Sequence, residues 1–131
     1  MIATEQSQIL IVDDEADMCW ALDRLLRRDG FAVTTTSHGM ESLALCVRER
    51  YAVVFVDAKL PDLNGLELID RLRQQAPTTH IVLISGFFDR DDAVIVEGLE
   101  RGRFDGFMVK PLDLRQVREM ARSLCNESPS L

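Results

Sequence analysis

Five short runs of largely apolar residues recur at near-even spacing along the chain: Ile9-Leu10-Ile11-Val12, Phe31 to Thr36, Val53 to Val56, Ile81 to Ile84 and Phe107-Met108-Val109. Each is rich in β-branched or aromatic residues, as strands buried on both faces are. Segments of helical period lie between them. Met18, Leu22, Leu25 and Leu26 share one face, and Gly30 stands where a C-terminal cap glycine would. Leu43, Ala44 and Val47 form a second stripe, and Leu68, Ile69 and Leu72 a third. Ala93, Val94, Val96 and Leu99 form a fourth, closed by Gly102. Leu114, Val117, Ala121 and Leu124 form a fifth, opened by Asp113 and Gln116 in capping-box spacing. The order βαβαβαβαβα with short loops implies an α/β fold, a doubly wound parallel sheet with helices on both faces. A chain of 131 residues has room for one such domain. Residues 1–125 are assigned to it, and 126–131 (NESPSL) to a tail or the start of a linker.

Charge narrows the partners. The formal charge of −7 repels nucleic acid and anionic membrane, and no basic stripe offsets it. No direct nucleic-acid or membrane contact is expected, and a DNA target would need another domain. Cys19, Cys46 and Cys125 are odd in number, far apart and without metal-type spacing, which suits reduced thiols in a cytosolic protein. The start, MIATEQSQ, lacks a basic region followed by an apolar run, and no apolar stretch approaches the ~20 residues that span a bilayer. A cytoplasmic protein is the expectation.

In an open parallel sheet, ligands bind beyond the carboxyl ends of the strands. Asp13, Asp14 and Glu15 follow the first run, Asp57 the third, Ser85 and Gly86 the fourth, and Lys110 and Pro111 the fifth. Taken singly, each is an ordinary turn or helix cap. Taken together, carboxylates, a hydroxyl and a lysine converge on one rim. Close carboxylates repel one another and call for a cation, and hard oxygen donors without a nearby His or Cys favour Mg²⁺ over zinc. With a cation and Lys110 in place, the rim attracts a dianion such as a phosphoryl group. Asp57 is then placed as a carboxylate nucleophile, with Ser85 and the backbone N–H groups of Ala58 and Gly86 as donors to phosphoryl oxygens.

The motifs IVDDE, VFVDAKLPDLNG, LISG and VKP, in this order, resemble the receiver domain of bacterial two-component response regulators, a chemotaxis-regulator-like superfamily. The resemblance covers about Ile9 to Leu124. It implies a single flavodoxin-like (βα)5 domain with strand order 2-1-3-4-5. It implies that Asp57 is phosphorylated from a sensor histidine kinase or phosphotransfer protein. It further implies Mg²⁺, for which Mn²⁺ could substitute, held by Asp14 directly, Asp13 through water, Asp57 and the Lys59 carbonyl. Lys110 would pair with the phosphoryl group, and the Lys110–Pro111 bond would be cis. Ser85 would move towards the phosphoryl oxygen, letting Phe107 turn inward as a switch. The output face would be the fourth helix, fifth strand and fifth helix, with homodimerisation through that face and a C-terminal effector domain as further implications. Such a protein catalyses only its own phosphorylation and dephosphorylation, and so is not an enzyme toward other substrates.

Departures from the family pattern are few. Leu60 stands where Met is commonest, and the segment from Ser85 to Lys110 is a few residues longer than expected, with Gly106 read as part of the excess. Lys59 and Phe87 occupy variable positions that tune phosphoryl lifetime in the family, and Phe87 is expected to shield the site from water. Trp20 falls opposite the apolar stripe of its helix, beside Arg24 and Arg27, and is a candidate kinase contact; a Trp lying on its own helix surface is the plainer alternative. Two other classes compare poorly. An aspartyl-nucleophile phosphatase commonly carries a second Asp two residues on, where this chain has Lys59, and no glycine-rich phosphate loop points to a nucleotide-binding domain. A receiver that acts without phosphorylation, by protein binding alone, remains the alternative.

Overall fold

Each apolar run becomes a strand and each periodic segment a helix. The computed structural model describes residues 6–126, so all but the first residue of the expected tail lies outside the described residues. The strands are β1 (Gln8–Val12), β2 (Ala32–Thr36), β3 (Val53–Asp57), β4 (His80–Ser85) and β5 (Gly106–Val109). The helices are α1 (Ala16–Arg28), α2 (Gly39–Arg48), α3 (Gly65–Gln75), α4 (Ala93–Glu100) and α5 (Leu114–Cys125). All neighbouring strands pair in parallel, in the order β2-β1-β3-β4-β5. That is the doubly wound fold expected.

Alternate residues of each central strand feed opposite cores, as the two-residue period of a strand requires. Leu10, Val12, Val54, Val56, Ile81 and Leu83 pack with Leu68, Ile69 and Leu72 of α3 and Ile95 of α4. Ile9, Ile11, Val53, Phe55, Val82 and Ile84 pack with Leu22 and Leu26 of α1 and Val117, Ala121 and Leu124 of α5. Gly30 and Gly102 follow α1 and α4 with φ of +95° and +71°, the left-handed region that favours glycine. Asp113 caps α5 by accepting from the Arg115 N–H at 2.9 Å. A bidentate pair between Arg118 and Asp29, at 2.8 and 2.9 Å, ties α5 to the end of α1.

Two helix faces differ from expectation, for one reason. In α2, Ala44 and Val47 are exposed, and the inward positions are Gly39, Ser42, Leu43, Leu45 and Cys46. Ser42 is fully buried, its hydroxyl donating to the Gly39 carbonyl at 2.6 Å. In α4, Val96 and Leu99 are exposed, whereas Ile95 and Gly98 face inward. A Cβ on Gly98 would lie 2.3 Å from the Phe104 ring, so the glycine makes room for a buried aromatic. Small residues take inward positions on both helices beside Leu43 and Ile95, and an apolar stripe gives Gly39, Ser42 and Gly98 no weight. Gly106 also differs: it opens β5 opposite Val82, and a Cβ there would press on Met120 at 3.1 Å. It is a packing position within the sheet.

The α2 orientation has a direct test. Replacing exposed Val47 with Ser should change urea-unfolding stability by less than about 0.5 kcal/mol. Leu72→Ala, on the buried face of α3, should cost ~2–5 kcal/mol. A loss at Val47 comparable to that at Leu72 would put the wrong face of α2 inward.

Candidate functional site

Strand register assembles the rim. Val12 pairs with Val56, Asp57 with Ile84, and Ser85 with Val109. Asp13, Asp57, Ser85 and Lys110 therefore stand on neighbouring strands at the same sheet edge. Asp13 and Asp57 are buried, Ser85 fully so, while Asp14 is exposed. Ligand oxygens of Asp13, Asp14 and Asp57 all lie within 4.8 Å of one another. Lys110 Nζ donates to Asp57 Oδ2 at 2.9 Å and to Glu15 Oε1 at 2.6 Å, and sits 3.2 Å from Asp13 Oδ2. A cleft of ≈ 320 Å³ opens over this cluster, lined by Asp14, Glu15, Asp57, Lys59, Leu60, Pro61, Gly86, Phe87 and Lys110.

Local bonds hold each group. Asp13 Oδ1 accepts from the Glu15 N–H at 2.9 Å as the chain turns into α1. Asp57 Oδ1 accepts from the Lys59 N–H at 3.1 Å. Behind Asp57, the Gly65 N–H donates to the Ala58 carbonyl at 2.9 Å. A Cβ on Gly65 would fall 2.3 Å from the Asp57 carbonyl oxygen, so α3 can start this close to β3 only from glycine. Asn64 caps that helix through the Leu66 N–H at 2.8 Å. Asp62 accepts from the Gly39 and Met40 N–H groups, at 2.8 and 3.0 Å, pinning the same loop to the start of α2. Those backbone bonds, Met40 foremost, hold its carboxyl below the usual range. The Lys110 N–H donates to the Ser85 carbonyl at 2.8 Å, and the Lys110–Pro111 bond is cis.

The sequence profile of the response regulator receiver domain matches residues 9–122. The chain belongs to that family. Response regulator ArlR of Staphylococcus aureus is 32% identical over 123 residues, 94% of this chain and 54% of ArlR. The receiver thus spans about half the length of such relatives. A two-component response regulator from Clostridium difficile superposes with a TM-score of 0.85 at 25% identity, covering 95% of this chain and 100% of that one. A CheY-like receiver domain from Methylobacillus flagellatus gives 0.78 at 29% identity, covering 92% and 99%. Membership implies phosphorylation-based signalling in a two-component system, with a histidine kinase or phosphotransfer protein as counterpart.

Not every expected group of the receiver is placed as expected. The Ala58 N–H donates to the Ile84 carbonyl at 2.8 Å, because the β3–β4 ladder runs one residue past Asp57. It is not a free donor to a phosphoryl oxygen in this structure; the N–H beside the carboxylate is that of Lys59. Ser85 Oγ accepts from the Phe87 and Phe88 N–H groups, at 3.0 and 2.8 Å. Phe107 is only 2% exposed and already packs inward with the core beneath α3 and α4. Phe87 is exposed at the cleft wall, 4.4 Å from the Phe88 ring. Trp20 lies outside the cluster, exposed, with the Arg24 guanidinium 5.0 Å from its ring centroid. That contact is the plain surface-Trp arrangement, and the kinase contact is a separate claim. Glu15 and Asp62 are the site residues whose contacts the sequence left unread. A carboxylate beside the acidic pair was the only signal for the first. For the second, the signal was an acid facing the amino end of α2, where it meets exposed N–H groups.

Among the described residues, no helix is long and apolar enough to cross a membrane. The acidic pocket itself suits a cation. Asp13 Oδ2 is buried and without a hydrogen bond, its ammonium contact at 3.2 Å being a charge contact only. Burial pushes the Asp13 carboxyl up to about 6; the Glu15 N–H opposes this and the charge of Asp57 adds to it. Burial works against the charge of Lys110, but its bonds to Glu15 and Asp57 and the nearby acid charges outweigh it, so it is held protonated.

An acid with a higher pKa folded than unfolded binds its proton more tightly in the folded state. Without a cation, stability should therefore fall as pH rises from 3.8, the ordinary value, through about 6. Asp13→Asn should raise Tm by a few degrees near pH ~8 in chelator, and change it little below pH ~4. A variant with lower Tm near pH ~8 would mean that the ionised carboxyl supports the fold.

Proposed function

We propose that this receiver is a phosphorylation-dependent switch that takes a phosphoryl group from a sensor histidine kinase or phosphotransfer protein onto Asp57. One observation carries the reading: Asp57 Oδ2 meets Lys110 Nζ at 2.9 Å, with ligand oxygens of Asp13 and Asp14 within 4.8 Å of its own. A buried nucleophile, an ammonium and acidic oxygens sharing one cleft suit phosphoryl chemistry, which needs positioning and charge stabilisation above all. Asp13, Asp14 and Asp57 would hold Mg²⁺, with the Lys59 carbonyl beside them; Mn²⁺ suits the same oxygen donors. Bound there, the ion supplies neutralisation of the charge on the phosphoryl oxygens.

In the transfer, an Asp57 oxygen forms a bond to phosphorus while the P–N bond of the donor imidazole breaks. The imidazole keeps the bonding pair and takes up a proton. Lys110 turns its ammonium to a phosphoryl oxygen. The N–H groups of Lys59 and Gly86 and the Ser85 hydroxyl are the other donors. Ser85 Oγ already accepts from Phe87 and Phe88, so its single hydrogen is the part of it left for the phosphoryl group.

Output on this reading passes from Ser85 through the Phe87–Phe88 segment to the α4–β5–α5 face. That face exposes Val96, Leu99, Val109 and Leu114, which supports partner binding or homodimerisation there. Residues 1–125 form the switch, and an attached effector domain or a separate partner reads it in the cytoplasm. Lys59 stands where an aspartyl-nucleophile phosphatase commonly places a second acid, so action on other substrates is not proposed.

The deciding experiment is intact mass after incubation with acetyl phosphate or phosphoramidate, with and without Mg²⁺. The expected result is one Mg²⁺-dependent, base-labile phosphoryl group on wild type and none on Asp57→Asn. A folded wild type that gains nothing from these donors or from a kinase would leave binding alone as the function. Phosphoryl lifetime tests Phe87: with the exposed ring removed from the cleft wall, Phe87→Ala should lose its phosphoryl group several-fold faster. An equal lifetime would remove the shielding role.

A further inference from the structure

The Lys110 ammonium has three hydrogens, and three carboxylates crowd it. Glu15 Oε1 lies at 2.6 Å, Asp57 Oδ2 at 2.9 Å and Asp13 Oδ2 at 3.2 Å. The shortest contact belongs to the residue without an assigned role. Glu15 is the N-cap of α1, yet its side chain makes no capping bond. It reaches instead across the rim to a residue 95 positions later. Its side chain is 56% exposed, against 0% for Asp13 and 7% for Asp57.

We propose that Glu15 is a positioning residue that competes with the incoming phosphoryl group for Lys110, and so sets the affinity of the site for anionic phosphodonors. The inference rests on Asp57 being the phosphoacceptor. A phosphoryl group on Asp57 draws on the same ammonium, two of whose hydrogens are given to Glu15 and Asp57 while Asp13 holds it by charge alone, so the carboxylates compete with it for Lys110. Asp13 is buried and has no water to retire to. Asp57 is the residue being modified. Glu15 is half in solvent and can rehydrate, which makes it the exchangeable partner. Its charge also stands in the wall of the ≈ 320 Å³ cleft through which a dianion must enter. Both effects oppose donor binding. The bond exchange itself is untouched: an Asp57 oxygen bonds to phosphorus, the acyl P–O bond breaks, and acetate leaves with the bonding pair.

The test is the rate of phosphorylation of the full chain by increasing acetyl phosphate at saturating Mg²⁺, for wild type, Glu15→Gln and Glu15→Ala. Both variants should reach half-saturation at about three- to tenfold lower acetyl phosphate, the size of one screened charge acting on a dianion nearby. The change should fall on half-saturation more than on maximal rate, and should shrink with added salt. A residue that merely shaped the helix start would not give this split. Beryllofluoride binding, followed by fluorine NMR, probes the same competition without group transfer and should tighten by a similar factor. If wild type takes up neither phosphoryl group nor beryllofluoride, the reading of Asp57 fails and this inference with it. If wild type takes up both and the Glu15 variants show unchanged or weaker half-saturation, the inference alone is overturned.

Discussion

The Lys110 ammonium stands among carboxylates that come from two strand ends and a helix cap, and its charge decides what the rim can be. Asp13 follows a strand buried from Ile9 to Val12 and Asp57 ends one buried throughout, so their carboxylates leave water without leaving the sheet edge. An isolated pair of buried carboxylates would be far more costly than the fold could tolerate. One ammonium at 2.9 and 3.2 Å offsets part of that cost and leaves a net negative pocket. The remainder shows in Asp13, held up to about 6 by burial. A pocket in that condition gains from any cation that enters, and with a cation bound it gains from an anion. On the proposed reading, affinity for a metal–phosphoryl pair would follow from incomplete neutralisation by the protein itself.

Such a cluster works only if its parts cannot drift apart. Parallel register sets the strand ends side by side, and the loops are fastened behind them. Gly65 lets α3 begin against the carbonyl of Asp57, where any side chain would collide with backbone. Asp62 carries the same loop to the first N–H groups of α2, and Asn64 closes the helix start. At the opposite edge of the sheet, Asp105 accepts from the Ile81 N–H and from Arg73, both at 2.8 Å, fixing the entry to β5 and hence the reach of Lys110. Rigid support on one side and exchangeable contacts on the other are what a nucleophile needs.

The order of elements, the buried strands and the rim residues were legible because their signals are large: β-branched runs, and charges at the ends of those runs. The faces of α2 and α4 were not. Gly39 and Gly98 sit inward because Leu63, Leu68 and Phe104 occupy the volume beside them, and that volume is fixed by distant parts of the chain. A periodicity count gives such residues no weight. Ala58 shows a subtler limit, since whether its N–H is free depends on where the β3–β4 ladder ends, which no local pattern encodes. Glu15 was visible as a charge but not as a partner. Its contact spans 95 positions, and only the closed sheet brings the two residues to 2.6 Å. The residues that the resemblance picks out come together in the structure because Asp13, Asp57, Ser85 and Lys110 stand at or just past strand ends, where register leaves little freedom.

On the proposed reading a change at Asp57 must reach the surface, and the bonds around Ser85 limit how. Its hydroxyl oxygen is the acceptor for two successive backbone N–H groups, Phe87 and Phe88. Turning the hydrogen alone leaves both bonds intact, but any displacement of that oxygen towards a phosphoryl group strains or breaks bonds that hold the start of the β4–α4 segment. Phe107 does not need to travel inward for this to matter, since it is already packed there. The segment leads into α4, a helix of only 8 residues that buries Ile95 and Gly98 and leaves Val96 and Leu99 in solvent. A short helix anchored by one isoleucine, a half-buried valine and a glycine against one aromatic ring is among the more weakly held elements of the fold. On the proposed reading, the phosphoryl group moves the part of the structure that resists least, and the exposed apolar residues of that part carry the message.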